Sequence, residues 1–421
     1  MENALQADSA AVRKKNENIY IGTYIGKTVA NRLAAGAFTT AFLVYIGFTT
    51  ENISLIQFSI NLGLIAASIL IIPLYRKDRS GLSILRISAW GSPMIPLGVL
   101  IASFFYQSSF AGVFILLLFT SCVGNLLKSM NNSAEINAAP MLFGTDRYRR
   151  ITGKCGIIGG AFTLALTLST MFLTDSKNAG IGYYRIFFAL ASVILIVTAL
   201  MRWLYKRPAD STKEKAAEAD LKRMFSKKYL KAALPHLLRG FGTAAFSLWP
   251  AVVIRNLSLT PFLSSVLIPL GIAAEILGSA LFNVITKRLS TTKMTAVSFF
   301  ISAVCMFLTP VIRTVPFYFI CFFIHEISTG SFARAILPSI VDSCDDEERP
   351  MIAALHVLYY AVTFCPAVIL FGKWMDAYTF PCMLAGGTAL ILGGFLWVRY
   401  LPENIQKRPA RGEKVQKGKG Q

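Results

Sequence analysis

The residues best suited to chemistry in this chain are ionisable groups set within strongly apolar stretches. Between residues 111 and 143 the sequence carries Ser121, Asn125, Lys128, Asn132 and Glu135. Their alternating spacing of four and three places all five on one face of a helix. A polar stripe of that length in an apolar helix needs water or partners along it. A second apolar stretch holds His325, Glu326 and Arg334. At about 100° per residue, Glu326 and Arg334 fall about 80° apart, with His325 opposite Arg334. A third stretch places His236, Arg239, Thr243 and Ser247 on one rough face. Glu275 stands by itself in a fourth, after Pro269. The chemistry these groups imply is binding and proton exchange. Lys128 and Arg334 would attract an anionic group and Glu135 and Glu326 would balance them, while Asn125, Asn132, Arg239 and Thr243 complete a polar lining. Glu275, Glu326 and His325 are the candidates for carrying a proton. Gln57, Asn61, His356, Tyr359 and Tyr360 are weaker candidates for contact with a solute. The alternative for the charged set is a salt-bridge network that fixes how helices dock, and for His325 it is packing against aromatic neighbours.

Other chemistries lack their residues. There is no Gly-rich phosphate loop, no triad spacing and no cluster with metal-ligand spacing. The seven cysteines are scattered through apolar segments without a CxxC pair, which suits neither a disulfide framework nor a metal site. The expectation is a chain that is not an enzyme, with no cofactor, no metal and no ATP-driven step.

The elements that must position these groups follow from composition. With 421 residues, 54% hydrophobic, and a mean hydropathy of +0.56, the chain is too apolar for a soluble protein of its size. A bilayer crossing takes about 20 apolar residues. Apolar runs bounded by charge or turn residues predict twelve spans, at 33–49, 53–74, 82–105, 111–143, 151–173, 184–204, 236–254, 262–286, 294–312, 315–341, 352–372 and 380–400. The net charge of +20 reflects topology rather than nucleic-acid binding. Most Lys and Arg residues fall in alternate connections, which places both termini in the cytoplasm, facing acidic lipid headgroups. The segment 1–32 reads as a cytoplasmic N-terminal segment without a cleavable signal, 33–204 as one six-helix bundle, and 236–401 as a second. Between the bundles, 205–235 reads as a cytoplasmic linker with an amphipathic surface helix, and 402–421 as a basic tail. A weak repeat supports this division. The connection from Ala139-Pro140 to Arg150 has a counterpart from Leu337-Pro338 to Arg349, about 198 residues on. The acidic run Asp342, Asp345, Asp346, Glu347 and Glu348 is opposite in sign to Arg147, Arg149 and Arg150, as a latch between the halves would be.

Two six-helix halves, a charged central linker and basic clusters at Arg76, Lys77 and Arg79 and at Lys287, Arg288 and Lys293 resemble the major facilitator superfamily of secondary transporters. The stretch from Pro73 to Gly81 keeps the basic and acidic character of that family's loop signature after the second span. Asn137-Ala138-Ala139-Pro140 with Thr145-Asp146 and Arg150 is similar to a loop of the sugar-cation symporter branch. Cys155-Gly156-Ile157-Ile158-Gly159-Gly160 is similar to a Gly-rich element of drug-proton antiporters. The resemblance implies that spans one, four, seven and ten line a central cavity, which would bring Lys128 opposite Glu326.

The reading that results is an all-α polytopic membrane protein of twelve transmembrane helices in two pseudo-symmetric bundles. It would be a transporter in a cell membrane, bacterial by the size of its loops, and monomeric. The solute would be an organic anion, a zwitterion or sugar-like, moved by alternating access and coupled to protons or sodium in symport or antiport. The alternatives are a drug or lipid exporter of the same fold and a non-transporting receptor or scaffold.

Overall fold

The computed structural model describes residues 2–34, 36–77, 81–143, 155, 158–168, 180–208, 227–285, 289–342 and 349–400. Every regular element among them is helical. In the first half these are α1 (Glu2–Leu33), α2 (Gly36–Tyr45), α3 (Thr50–Lys77), α4 (Leu82–Ser88), α5 (Gly91–Phe105), α6 (Phe110–Phe143), α7 (Ile158–Leu168) and α8 (Ile181–Arg202). The second half holds α9 (Lys227–Asn256), α10 (Pro261–Ser265), α11 (Leu267–Ile285), α12 (Thr291–Phe307), α13 (Val315–Asp342), α14 (Arg349–Trp374) and α15 (Thr379–Tyr400). Paired helices α1–α2, α4–α5 and α10–α11 each make one span. The others make one apiece, which gives the twelve expected.

Eight of these spans are long and apolar enough to cross a membrane on composition alone. Three more, around α7, α12 and α13, are shorter apolar helices. The first is different in kind. Its helix reaches back to Glu2, and Tyr20, Val29, Ala30 and Leu33 are buried. The buried face of the first span therefore begins well before residue 33, in a segment read from sequence as polar and cytoplasmic. Lys27 and Arg32 lower its hydropathy, and both are placed inside the protein rather than against lipid.

Packing within the first half joins α3 and α5 to α6, and α1 and α5 to α8. In the second half α9 packs on α14 and α15, and α13 on α11 and α12. Small residues permit the tightest of these approaches. A Cβ at Gly91 would meet the backbone of α6 at Gly124 and Lys128, and one at Gly242 would meet α15 at Gly386 and Leu390. The halves meet mainly along α3 and α14, with further contact of α2 on α9 and α10 and of α7 on α11 near Gly160 and Ile276. The buried aromatic residues Phe38, Phe42, Tyr184, Phe187 and Phe188 glue α2 to α8, and Trp249, Tyr318 and Phe322 glue α9 to α13. Large apolar side chains such as Ile115, Phe119, Val193, Phe300 and Phe395 point outward, as on a lipid-facing perimeter.

Some expectations fall outside the described residues. They include the Arg147, Arg149 and Arg150 cluster, most of the acidic run after Asp342, most of the 205–235 linker and the tail after residue 401. Residues 227–235 of that linker form the first turns of α9.

Candidate substrate cavity

The polar stripe of α6 splits into two environments. Its terminal-side end is held inside the first half. Glu135 accepts from Arg202 Nη2 of α8 at 2.8 Å and lies 3.5 Å from Lys27 Nζ of α1. Lys27 also donates to Asn132 Oδ1 at 2.7 Å. Arg202 donates in addition to Asn131 Oδ1, and Asn131 donates to the Leu85 carbonyl at 2.9 Å. The side chains of Arg202 and Glu135 are 6% and 13% exposed and Asn131 is buried, while Lys27 carries the network out to the exposed Asn132. The network fastens α1, α4, α6 and α8 together. These contacts tie Glu135 to α1 and α8.

The upper part of the stripe makes separate contacts. Asn125 turns its amide back to the Ser121 carbonyl at 2.8 Å. Lys128 Nζ donates to Asn31 Oδ1 of α1 at 3.3 Å. Among the described residues Lys128 makes no ion pair with Glu326. The cation that reaches the opposite half is Arg32, one residue before α1 ends. It forms an ion pair with Glu275 of α11, their side chains 25% and 37% exposed. Arg32 and Glu326 of α13 also attract one another. Glu275 is therefore paired rather than solitary, because the end of α1 packs against α11. Sequence reasoning does not single out Arg32, because it lies outside the first apolar run.

In the second half Arg239 lies over the Tyr360 ring, 4.5 Å from its centroid, in a cation–π contact. The Thr243 hydroxyl donates to the Arg239 carbonyl of its own helix. His325 is elsewhere. It is 6% exposed and stacks on Phe246, with ring centroids 3.7 Å apart, so its setting is the aromatic packing one. Arg334 is on α13 two turns beyond Glu326, with its side chain outside the described set. The structure thus gathers Asn31, Arg32, Lys128, Glu275 and Glu326 near the seam of the two halves, and keeps Glu135, Asn132 and His325 apart from them.

Hydrogen bonds between the halves also cluster at the end remote from the chain termini. Arg255 of α9 donates across to Thr50 Oγ1 at 3.0 Å and to the Phe48 carbonyl at 3.2 Å, and within its own half to Asp376 Oδ1 at 2.9 Å. Thr50 donates to the same Asp376 oxygen at 2.5 Å, and Tyr183 donates to Ser265 Oγ at 2.9 Å. Two helical halves, each of six spans, meet along α3 and α14 and are latched at one end.

That arrangement is similar to solved transporters. A D-xylose-proton symporter superposes with a TM-score of 0.68 at 11% identity, covering 92% of this chain and 98% of that one. The nucleoside transporter NupG gives 0.60 at 12% identity over 93% and 98%. A bacterial homologue of the iron transporter ferroportin in its inward-facing state gives 0.61 at 12% over 93% and 99%. The chain has the major facilitator fold. No family model matches the sequence, and no curated protein matches it. Among the described residues, eight helices long and apolar enough to cross a membrane mark a multi-pass membrane protein, and the chain's structural neighbours are transporters.

Proposed function

We propose that this protein is a secondary active transporter that moves a small polar solute by alternating access between its two six-helix halves. The observation that carries the proposal is the Arg32 ion pair with Glu275, made between the halves with a second carboxylate, Glu326, in the field of the same cation. One cation shared by two carboxylates can hold only one of them fully compensated, so a proton or a cationic group on the other is favoured. A solute carboxylate can compete for Arg32, and protonation of Glu275 can release it. Either event weakens a bond between the halves and so couples occupancy to their relative position. Lys128, tethered by Asn31, and Arg239, on the face of Tyr360, supply further positive charge to the lining. This favours an organic anion or a zwitterion, moved with protons, across a cell membrane with both termini in the cytoplasm.

Proteoliposomes holding a pH dye test this, with pooled metabolites added outside and the wild type compared with Glu275→Gln, Glu326→Gln and Arg32→Gln. At least one pool should drive proton movement in wild type, and Glu275→Gln or Glu326→Gln should abolish proton movement while solute exchange persists. Proton movement unchanged in all three variants would remove this cluster from the coupling mechanism.

A further inference from the structure

The chain has three histidines, and two of them meet although they are 120 residues apart. His236 of α9 and His356 of α14 bring their Nδ1 atoms to 3.4 Å, with ring centroids 4.9 Å apart and planes tilted by 46°. Their setting is built. His236 is 3% exposed and stands edge-on to Trp397, itself fully buried, with centroids 4.8 Å apart. Thr363 donates to the Leu237 carbonyl at 2.8 Å, which fixes the register of α14 against α9 beside the pair. Gly240 leaves room for the α14 backbone at Tyr360 to come close.

Backbone and ring N–H donors normally stand about 2.7–3.2 Å from an oxygen acceptor, so 3.4 Å between two ring nitrogens is long for a direct hydrogen bond. It matches a different geometry. Two imidazole nitrogens each about 2.0–2.1 Å from a tetrahedral metal ion are about 3.3–3.4 Å apart. Imidazole pairs suit zinc, copper, nickel and ferrous iron. We infer that His236 and His356 bind a divalent transition metal ion through their Nδ1 atoms. Among the described residues no third His, Cys, Asp or Glu completes a metal-binding group, so the remaining positions belong to water or to an added ligand. Arg239 lies one turn further along α9. Its charge repels a bare dication and attracts an anion, so the added ligand is anionic. The site lies between helices of one half and does not depend on the Arg32 cluster or on the transport reading.

Full-length protein in detergent, with any affinity tag removed, is titrated with Co²⁺. Ligand-field bands of a low-coordinate site should appear with one ion per chain, and Zn²⁺ should displace them. His236→Gln and His356→Gln should each weaken binding by about tenfold or more. Added azide should shift the Co²⁺ bands, and Arg239→Gln should need about tenfold more azide for the same shift. Absence of Co²⁺ or Zn²⁺ binding at about 0.1 mM metal, a concentration that reports affinities near −5 kcal/mol, overturns the inference. So does affinity unchanged in both histidine variants. An azide response unchanged in Arg239→Gln removes the anionic ligand from it. If a histidine variant fails to fold, pulsed electron resonance of Cu²⁺ on the wild type decides: two equivalent imidazoles support the site, and one or none refutes it.

Discussion

Replacing Arg255 with Ala should loosen the end of the molecule remote from the termini. Arg255 makes three bonds there, to Asp376, Thr50 and the Phe48 carbonyl. Its side chain and that of Asp376 are 36% and 48% exposed, so screening holds the ion pair to at most about 1 kcal/mol. The bonds to the Thr50 hydroxyl and the Phe48 carbonyl add about 0.5 kcal/mol each at such exposure. The Asp376 pair lies within the second half, so Arg255 holds the far end closed through the other two bonds, by about 1 kcal/mol, a population ratio of about fivefold. Spin labels on Ser109→Cys and Tyr378→Cys, in exposed connections of the two halves, report the far-end separation by double electron–electron resonance. Arg255→Ala should raise the fraction at long distance, and Asp376→Asn should do so less, because Thr50 can still donate to the remaining side-chain oxygen. A far end held shut by packing of α3 on α14, α2 and α10 would instead give unchanged distance distributions in both variants. That result would refute the assignment of the latch.

Two further perturbations separate docking from transport. Arg202→Ala removes the nearest partner of the buried Glu135, which keeps Lys27, and leaves Asn131 Oδ1 without its donor; an unsatisfied buried polar group costs about 1–3 kcal/mol, so thermal unfolding followed by size exclusion should show a loss of stability, and a melting temperature equal to wild type would contradict a docking role. Gly372→Leu places atoms where Ser54 of α3 already stands, so it should cost about 1–3 kcal/mol in overpacking and widen the Ser109 to Tyr378 distance, whereas an unaltered distance with normal stability would mean that α3 and α14 are not in close contact there.

Much of the architecture was legible from residue order, because a bilayer imposes a length and polarity requirement on each helix taken singly. The twelve apolar runs and the polar stripe of α6 follow from local spacing, and helices α3, α5, α6, α8, α14 and α15 occupy the stretches that hydropathy marks out. The first span was harder to place, since Lys27 and Arg32 belong to a helix whose charged face is turned into protein, and hydropathy cannot distinguish a charge facing lipid from one facing a carboxylate. Pairing was not legible at all. Glu275 stands alone along the chain and meets Arg32 because α1 packs against α11; Glu135, grouped by spacing with Lys128, is claimed by Arg202 from α8. His236 and His356 offer no spacing signal, being brought together by the packing of α9 on α14. Helix periodicity fixes which side chains share a face, but the partner of a buried charge is set by which helices cross at that depth, and that is a property of the tertiary fold.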